Sequence, residues 1–206
     1  MDKTAAKVAI LASGEGTNAE RLIQAVAVSE GIDIAWVGCN RENAGVLARA
    51  DAAGIPSWVF SKAELNRGEV QSRLIEDGVD FVALVGFLLK VPAELVTAYS
   101  GRMLNLHPAL LPAFGGKGMY GHHVHKAVHT ALCEGAVQET GITLHWVDPE
   151  YDEGPPFFQA SVPLDAAVDT PETIAEKVRE LEVAHYAPQA LRAVVESLSL
   201  SDTTDP

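Results

Sequence analysis

Five short, mostly apolar runs set the strongest limit on how this chain folds: KVAILA (7–12), IDIAWVGC (32–39), PSWVF (56–60), DFVALVGF (80–87) and RMLNLH (102–107). Between them lie stretches at 19–29, 44–53, 67–77 and 92–98 whose apolar residues recur at helical spacing. Strands that are apolar on both faces must be covered on both faces, so this alternation predicts βαβ units and a parallel sheet between helical layers. The fold class is therefore α/β, a Rossmann-like, mostly parallel sheet flanked by helices. After residue 107 the pattern changes to a Pro- and Gly-rich loop (108–121), a helix near 123–134, and two runs, GITLHWV (141–147) and PFFQASV (156–162), that read as strands added to the sheet. Thr170, Pro171 and Glu172 make a good helix start, and helices are expected at 171–183 and 187–198. One domain over 1–198 and a polar, frayed tail over 199–206 complete the expected layout.

Composition excludes some functions. Lys and Arg number 15 against 28 Asp and Glu, a net charge of −13, which repels a polyphosphate backbone and argues against nucleic-acid binding. Cys39 and Cys133 have neither metal-site nor disulfide-framework spacing and read as free core thiols in a reducing compartment. Glycine breaks the first apolar stretch too early for a membrane span or a secretory core. A cytoplasmic protein without a membrane partner is the expectation.

The first strand runs into Ser13-Gly14-Glu15-Gly16-Thr17-Asn18 and then a helix. Glycines let backbone approach a ligand closely, and free N–H groups at a helix start attract anions. Gly14-x-Gly16-x-x-Ala19 is a permitted dinucleotide fingerprint, but the acid expected after the second strand is missing, because that strand leads into Asn40. Thr17 and Asn18 suit a terminal phosphate monoester better than a pyrophosphate. A glycine turn capped by Thr or Asn, with no ligand, is the alternative.

Alternation along a strand puts Asn105 and His107 on one face and Leu104 and Leu106 on the other, and Pro108 keeps His107 extended. An amide and an imidazole thus reach the strand's C-terminal end together, where one can steady an oxyanion and the other can move a proton. The turn Asp148-Pro149-Glu150-Tyr151-Asp152-Glu153-Gly154 lacks the oxygen spacing of a calcium loop. It is either a solvated acidic turn or the source of a carboxylate for His107. His122, His123, His125 and His129 have no supporting Cys or Glu, so solvent-facing or capping roles are preferred over a metal. His145 reads as a packed neighbour of the site, and residues 113–121 as a mobile lid or an ordinary surface loop.

Together, Ser13-Gly-Glu-Gly-Thr-Asn18, Asn105-Leu-His-Pro-Ala-Leu-Leu-Pro112, and His145-Trp-Val with Asp152-Glu-Gly-Pro155 resemble the formyl transferases that use 10-formyltetrahydrofolate. Gly16-Thr17-Asn18 narrows the resemblance to the branch acting on phosphoribosylglycinamide (GAR). The resemblance covers about residues 7 to 195. It implies a catalytic trio of Asn105, His107 and Asp152. It also implies a GAR site at Gly16, Thr17, Asn18, Glu182, Val183, Ala184 and His185. A folate site would comprise Arg67, Leu88, Leu89, Lys90, Val91, Asp148, Pro149, Glu150, Tyr151 and Asp152. Leu89 stands where relatives often carry Arg, with Lys90 next to it. The implied cosubstrate is 10-formyltetrahydrofolate, with no metal, a cis Leu111–Pro112 bond, small-molecule substrates as the partners, and either a monomer or a homodimer. Three alternatives remain: hydrolysis of the formyl group, as in deformylases, which carry an extra N-terminal domain; formyl transfer to another amine; and a non-catalytic nucleotide-binding module or redox domain, for which Asn105, His107 and Asp152 would be coincidence. Initiator tRNA is disfavoured as acceptor, because those relatives add a C-terminal domain.

Overall fold

The computed structural model describes residues 5–201. Seven strands form one sheet in the order β3-β2-β1-β4-β5-β6-β7. They are β1 (Ala6–Ala12), β2 (Ile32–Cys39), β3 (Ser57–Val59), β4 (Phe81–Leu84), β5 (Met103–His107), β6 (Glu139–Trp146) and β7 (Pro156–Pro163). The first five pair in parallel, and β6 and β7 add antiparallel at the β5 edge. The helices are α1 (Thr17–Ala27), α2 (Gly45–Ala52), α3 (Lys62–Asn66), α4 (Glu69–Glu76), α5 (Ala93–Ala98), α6 (His122–Cys133) and α7 (Pro171–Ser201).

β1 shows how one strand serves two cores. Val8, Ile10 and Ala12 join a cluster with Leu22 of α1, Val46 of α2, Val128 of α6 and Val178 of α7. Ala9 and Leu11 join another with Leu65 of α3, Leu74 of α4 and Leu95 of α5. Each fully buried aliphatic side chain contributes roughly 1.5–3 kcal/mol, so both layers are held firmly to the sheet. The order reverses direction between β1 and β4, and such a switch point opens a crevice at the strands' C-terminal ends. Ser13 ties this point together: its Oγ donates to Asn40 Oδ1 (2.5 Å) and accepts the Leu88 N–H (2.9 Å).

Three local expectations are corrected. The helix expected over 67–77 is α4, which begins only at Glu69 because Gly68 takes a left-handed backbone (φ 82°), and a short unexpected helix, α3, precedes it. α3 has a capping box, with Ser61 and Glu64 each accepting the other's backbone N–H, a signal visible in the sequence. The two C-terminal helices are one, α7, with Pro188 inside it. Pro188 and Ala184, whose carbonyl loses its helical partner, both face solvent, while Tyr186, Ala187 and Ala190 on the same helix are buried. Water can satisfy the freed carbonyl, and burial on both sides of the proline keeps the helix continuous. Finally, Cys39 is buried but Cys133 is exposed, because α6 buries the stripe Val124, Val128, Leu132 and Cys133 falls outside it. α7 extends past the expected end at 198, and the rest of the expected tail, 202–206, lies outside the described residues. Among the described residues no helix is long and apolar enough to cross a membrane.

Candidate active site

β5 and β6 build the polar centre. In their antiparallel register Asn105 faces His145 and His107 faces Thr143. Direct cross-strand partners on one face are close enough to bond, and Asn105 Nδ2 lies 2.9 Å from His145 Nε2. His145 Nδ1 lies 3.1 Å from the Trp146 carbonyl. A carbonyl only accepts, so Nδ1 carries the hydrogen and Nε2 is free to accept from Asn105. Thr143 anchors the chain leaving β5: its Oγ1 donates to the Ala109 carbonyl (2.7 Å) and accepts the Leu111 N–H (3.0 Å). The Leu111–Pro112 peptide is cis, as the resemblance implies.

The turn between β6 and β7 delivers Asp152 into this cluster. Its Oδ2 accepts the Gly116 N–H (2.9 Å) and lies 3.6 Å from His107 Nδ1, while Oδ1 lies 3.6 Å from His145 Nε2 and accepts a long bond from Asn105 Nδ2 (3.4 Å). The sequence left the turn open between a solvated surface and a carboxylate for His107; the side chain of Asp152 is only 12% exposed. Burial by itself would raise its carboxyl, but the polar groups around it, the Gly116 N–H among them, outweigh burial and hold it below its ordinary range. His107 is more deeply buried, and burial pushes its imidazole below the usual value of 6.5 despite the opposing pull of Asp152 and the Phe114 carbonyl. Near neutral pH the pair is a carboxylate beside a neutral imidazole.

This centre opens into a cleft of about 500 Å³. Asn18 and Glu182 line one part, Gly86 and Leu88 another, and the loop from Gly116 to Gly121 a third. α1 meets it with its N-terminus. Gly16 is left-handed (φ 74°), no side chain caps the helix, and Thr17 is exposed. A Cβ on Gly16 would run into Val46, so glycine is required there for both space and conformation. Asn18 turns inward, donating from Nδ2 to Glu182 Oε2 (2.8 Å) and accepting from Arg21 (2.7 Å). Burial raises the Glu182 carboxyl, with Asn18, Arg21 and Arg179 opposing.

A second, narrower cavity of about 70 Å³ shares Asn105 and Asp152 with the cleft. Leu89, Lys90 and Val91 line it from one side and Asp148 to Asp152 from the other. Lys90 pairs with Glu150 (3.5 Å) and sits over the Tyr151 ring (5.4 Å). Leu84, Phe87 and Val147 also line it, and neither motif nor spacing had singled them out. Arg67 is placed apart: it pairs with Glu69 (2.7 Å) and borders a recess with Trp58 and Arg73. Of the α7 stretch only Glu182 borders the cleft; Val183 and Ala184 face solvent and His185 packs on Phe158 (5.3 Å). His125, expected at the surface or in a cap, is buried at the cleft wall, because it shares the inward face of α6 with Val124 and Val128. No group of three or more His, Cys, Asp or Glu among the described residues is arranged to hold a metal ion.

Comparison with known proteins agrees with this geometry. The family model described as formyl transferase matches residues 6–191. A chloroplastic phosphoribosylglycinamide formyltransferase of Arabidopsis thaliana is 41% identical over 181 residues, 84% of this chain and 60% of the relative. A relative of the same name from Vigna unguiculata is matched over 55% of its length, so the chain spans a little over half of these plant proteins. The crystal structure of phosphoribosylglycinamide formyltransferase from Anaplasma phagocytophilum superposes with a TM-score of 0.80 at 32% identity, covering 94% of this chain and 89% of that one. With β5, the β6–β7 turn and the α1 terminus meeting in one cleft within the matched span, the chain belongs to the formyl transferase family.

Proposed function

We propose that this chain transfers the formyl group of 10-formyltetrahydrofolate to the amine of GAR, a step of purine biosynthesis. The observation that carries the reading is the convergence of Asn105, His107 and Asp152 at one end of a cleft whose other wall is the uncapped N-terminus of α1. The first-turn N–H groups of α1 and the Thr17 hydroxyl bind the substrate phosphate, which the helix end favours electrostatically. Glu182, fixed by Asn18, receives the ribose and glycinamide part. The narrower cavity between residues 89–91 and 148–152 takes the pterin end of the folate, with Leu88 on the wall of the adjoining cleft.

With both substrates so placed, the amine attacks the formyl carbon and the carbonyl oxygen becomes an oxyanion. Asn105 keeps one amide proton on His145; its other, held only by the long bond to Asp152, turns to the oxyanion. His107, neutral at rest, takes the proton that the attacking nitrogen sheds and gives it to the departing folate nitrogen as the old C–N bond breaks. Asp152 stabilises the imidazolium in between.

The test follows tetrahydrofolate release from 10-formyltetrahydrofolate spectroscopically, with and without GAR. Release that depends on GAR and yields formylated product is the expected result. Equal release without GAR would make water the acceptor, and no release in either case would reject the folate.

A further inference from the structure

Only two non-glycine residues among those described have a left-handed backbone, Phe114 (φ 58°) and Asp152 (φ 57°), and both touch the same imidazole. For a side chain as bulky as Phe this conformation is strained and persists only where neighbours enforce it. They do so here. The chain entering the loop is tied to Thr143 through Leu111, the Phe114 ring packs on the core, and Gly116 N–H is bound to Asp152. The result is that the Phe114 carbonyl oxygen lies 2.8 Å from His107 Nε2.

A carbonyl oxygen has only lone pairs to offer, so at that distance Nε2 must carry the hydrogen. A neutral imidazole has one N–H, which leaves Nδ1 bare and turned toward Asp152. The opposite tautomer would set a ring lone pair against the carbonyl lone pair at 2.8 Å, whereas in this one the bare Nδ1 stands 3.6 Å from the Asp152 carboxylate, beyond hydrogen-bond distance. We propose that Phe114 is a positioning residue whose main-chain carbonyl locks His107 in the Nε2–H tautomer, making Nδ1 the nitrogen that takes and returns the reaction's proton. When Nδ1 is protonated, each ring N–H already faces an acceptor, Phe114 on one side and Asp152 on the other, so the imidazolium is received without rearrangement. The inference rests on reading His107 as the proton carrier, but the tautomer itself is observable without turnover.

The experiment is 15N NMR of the full chain labelled at histidine, recorded above pH 7.5 with His107 assigned by its absence from His107→Gln. The expected spectrum has Nε2 protonated and Nδ1 bare. Replacing Gly115 with glycolic acid converts the Phe114 carbonyl from an amide to an ester, a weaker acceptor, without touching a side chain. Phe114→Pro, whose ring fixes φ near −65°, swings the carbonyl away. Both changes should populate the Nδ1–H tautomer and lower kcat by at least about tenfold with little change in either KM, as expected when a catalytic histidine is left in the wrong tautomer. If Phe114→Pro does not fold, the ester carries the test. A proton on Nδ1 in the unmodified protein, or an ester variant with unchanged tautomer and kcat, would overturn the proposal. Full activity in His107→Ala, with the unmodified protein showing the Nε2–H tautomer, would instead reject His107 as proton carrier.

Discussion

His107 shows how a single residue's surroundings set its chemistry. Burial lowers its pKa and Asp152 opposes that shift, so the neutral form persists to below the usual 6.5. A base must be neutral to accept a proton, so kcat/KM should hold steady above neutrality and fall only as the pH drops through this lowered value. Asp152→Asn removes the charge that raises His107, and its acid limb should therefore move to lower pH; a limb moving upward would contradict the pairing. His107→Ala should reduce turnover about a hundredfold or more, the usual scale for losing a proton-transferring group, with the fold intact by circular dichroism. The sequence makes Asn105 and His107 legible because strand alternation fixes their common face. Asp152 stands out only through the family resemblance, since one acid in an acidic turn looks like any other. The Phe114 carbonyl cannot be read at all, because every residue has one and only the fold decides where it points.

At the level of elements, apolar runs and helical periodicity locate all seven strands and most helices, since burial on two faces or on one leaves a direct imprint on residue order. Element ends are harder. β4 stops at Leu84 although the apolar run continues to Phe87, because Gly86 turns the chain with φ 62°. The two helices expected at 171–183 and 187–198 are joined, and α7 continues through Pro188. Its ring removes one backbone hydrogen bond on the solvent side, while the buried residues around it decide the path. Pro188→Ala restores the bond to Ala184 and should stabilise the protein by about 1–3 kcal/mol, discounting an interior proline for its stiffening of the unfolded chain. Urea unfolding measures this, and a lower midpoint in the variant would mean that α7 needs its bend.

Across the whole molecule, the sheet order brings residues far apart in sequence to one crevice. The hydrogen bond from Asn18 to Glu182 spans 164 positions and couples the first helix to the last at the wall of the cleft. Asn18→Ala frees Glu182 from its partner and should raise the KM for GAR more than the KM for the folate; equal effects on both would place this pair outside the GAR site. The parallel-sheet scaffold was legible from the sequence, whereas the separation of Arg67 from the folate cavity was not, because α3 and its cap turn that side chain toward Glu69. Whether the assembled cleft moves a formyl group to a phosphorylated amine is best decided by following the group itself. With 10-formyltetrahydrofolate labelled with 13C in the formyl carbon, the label should appear by NMR in formylated GAR, and His107→Ala should show almost none in the same time. Label recovered as formate, or left on the folate while GAR is present, would contradict the assignment.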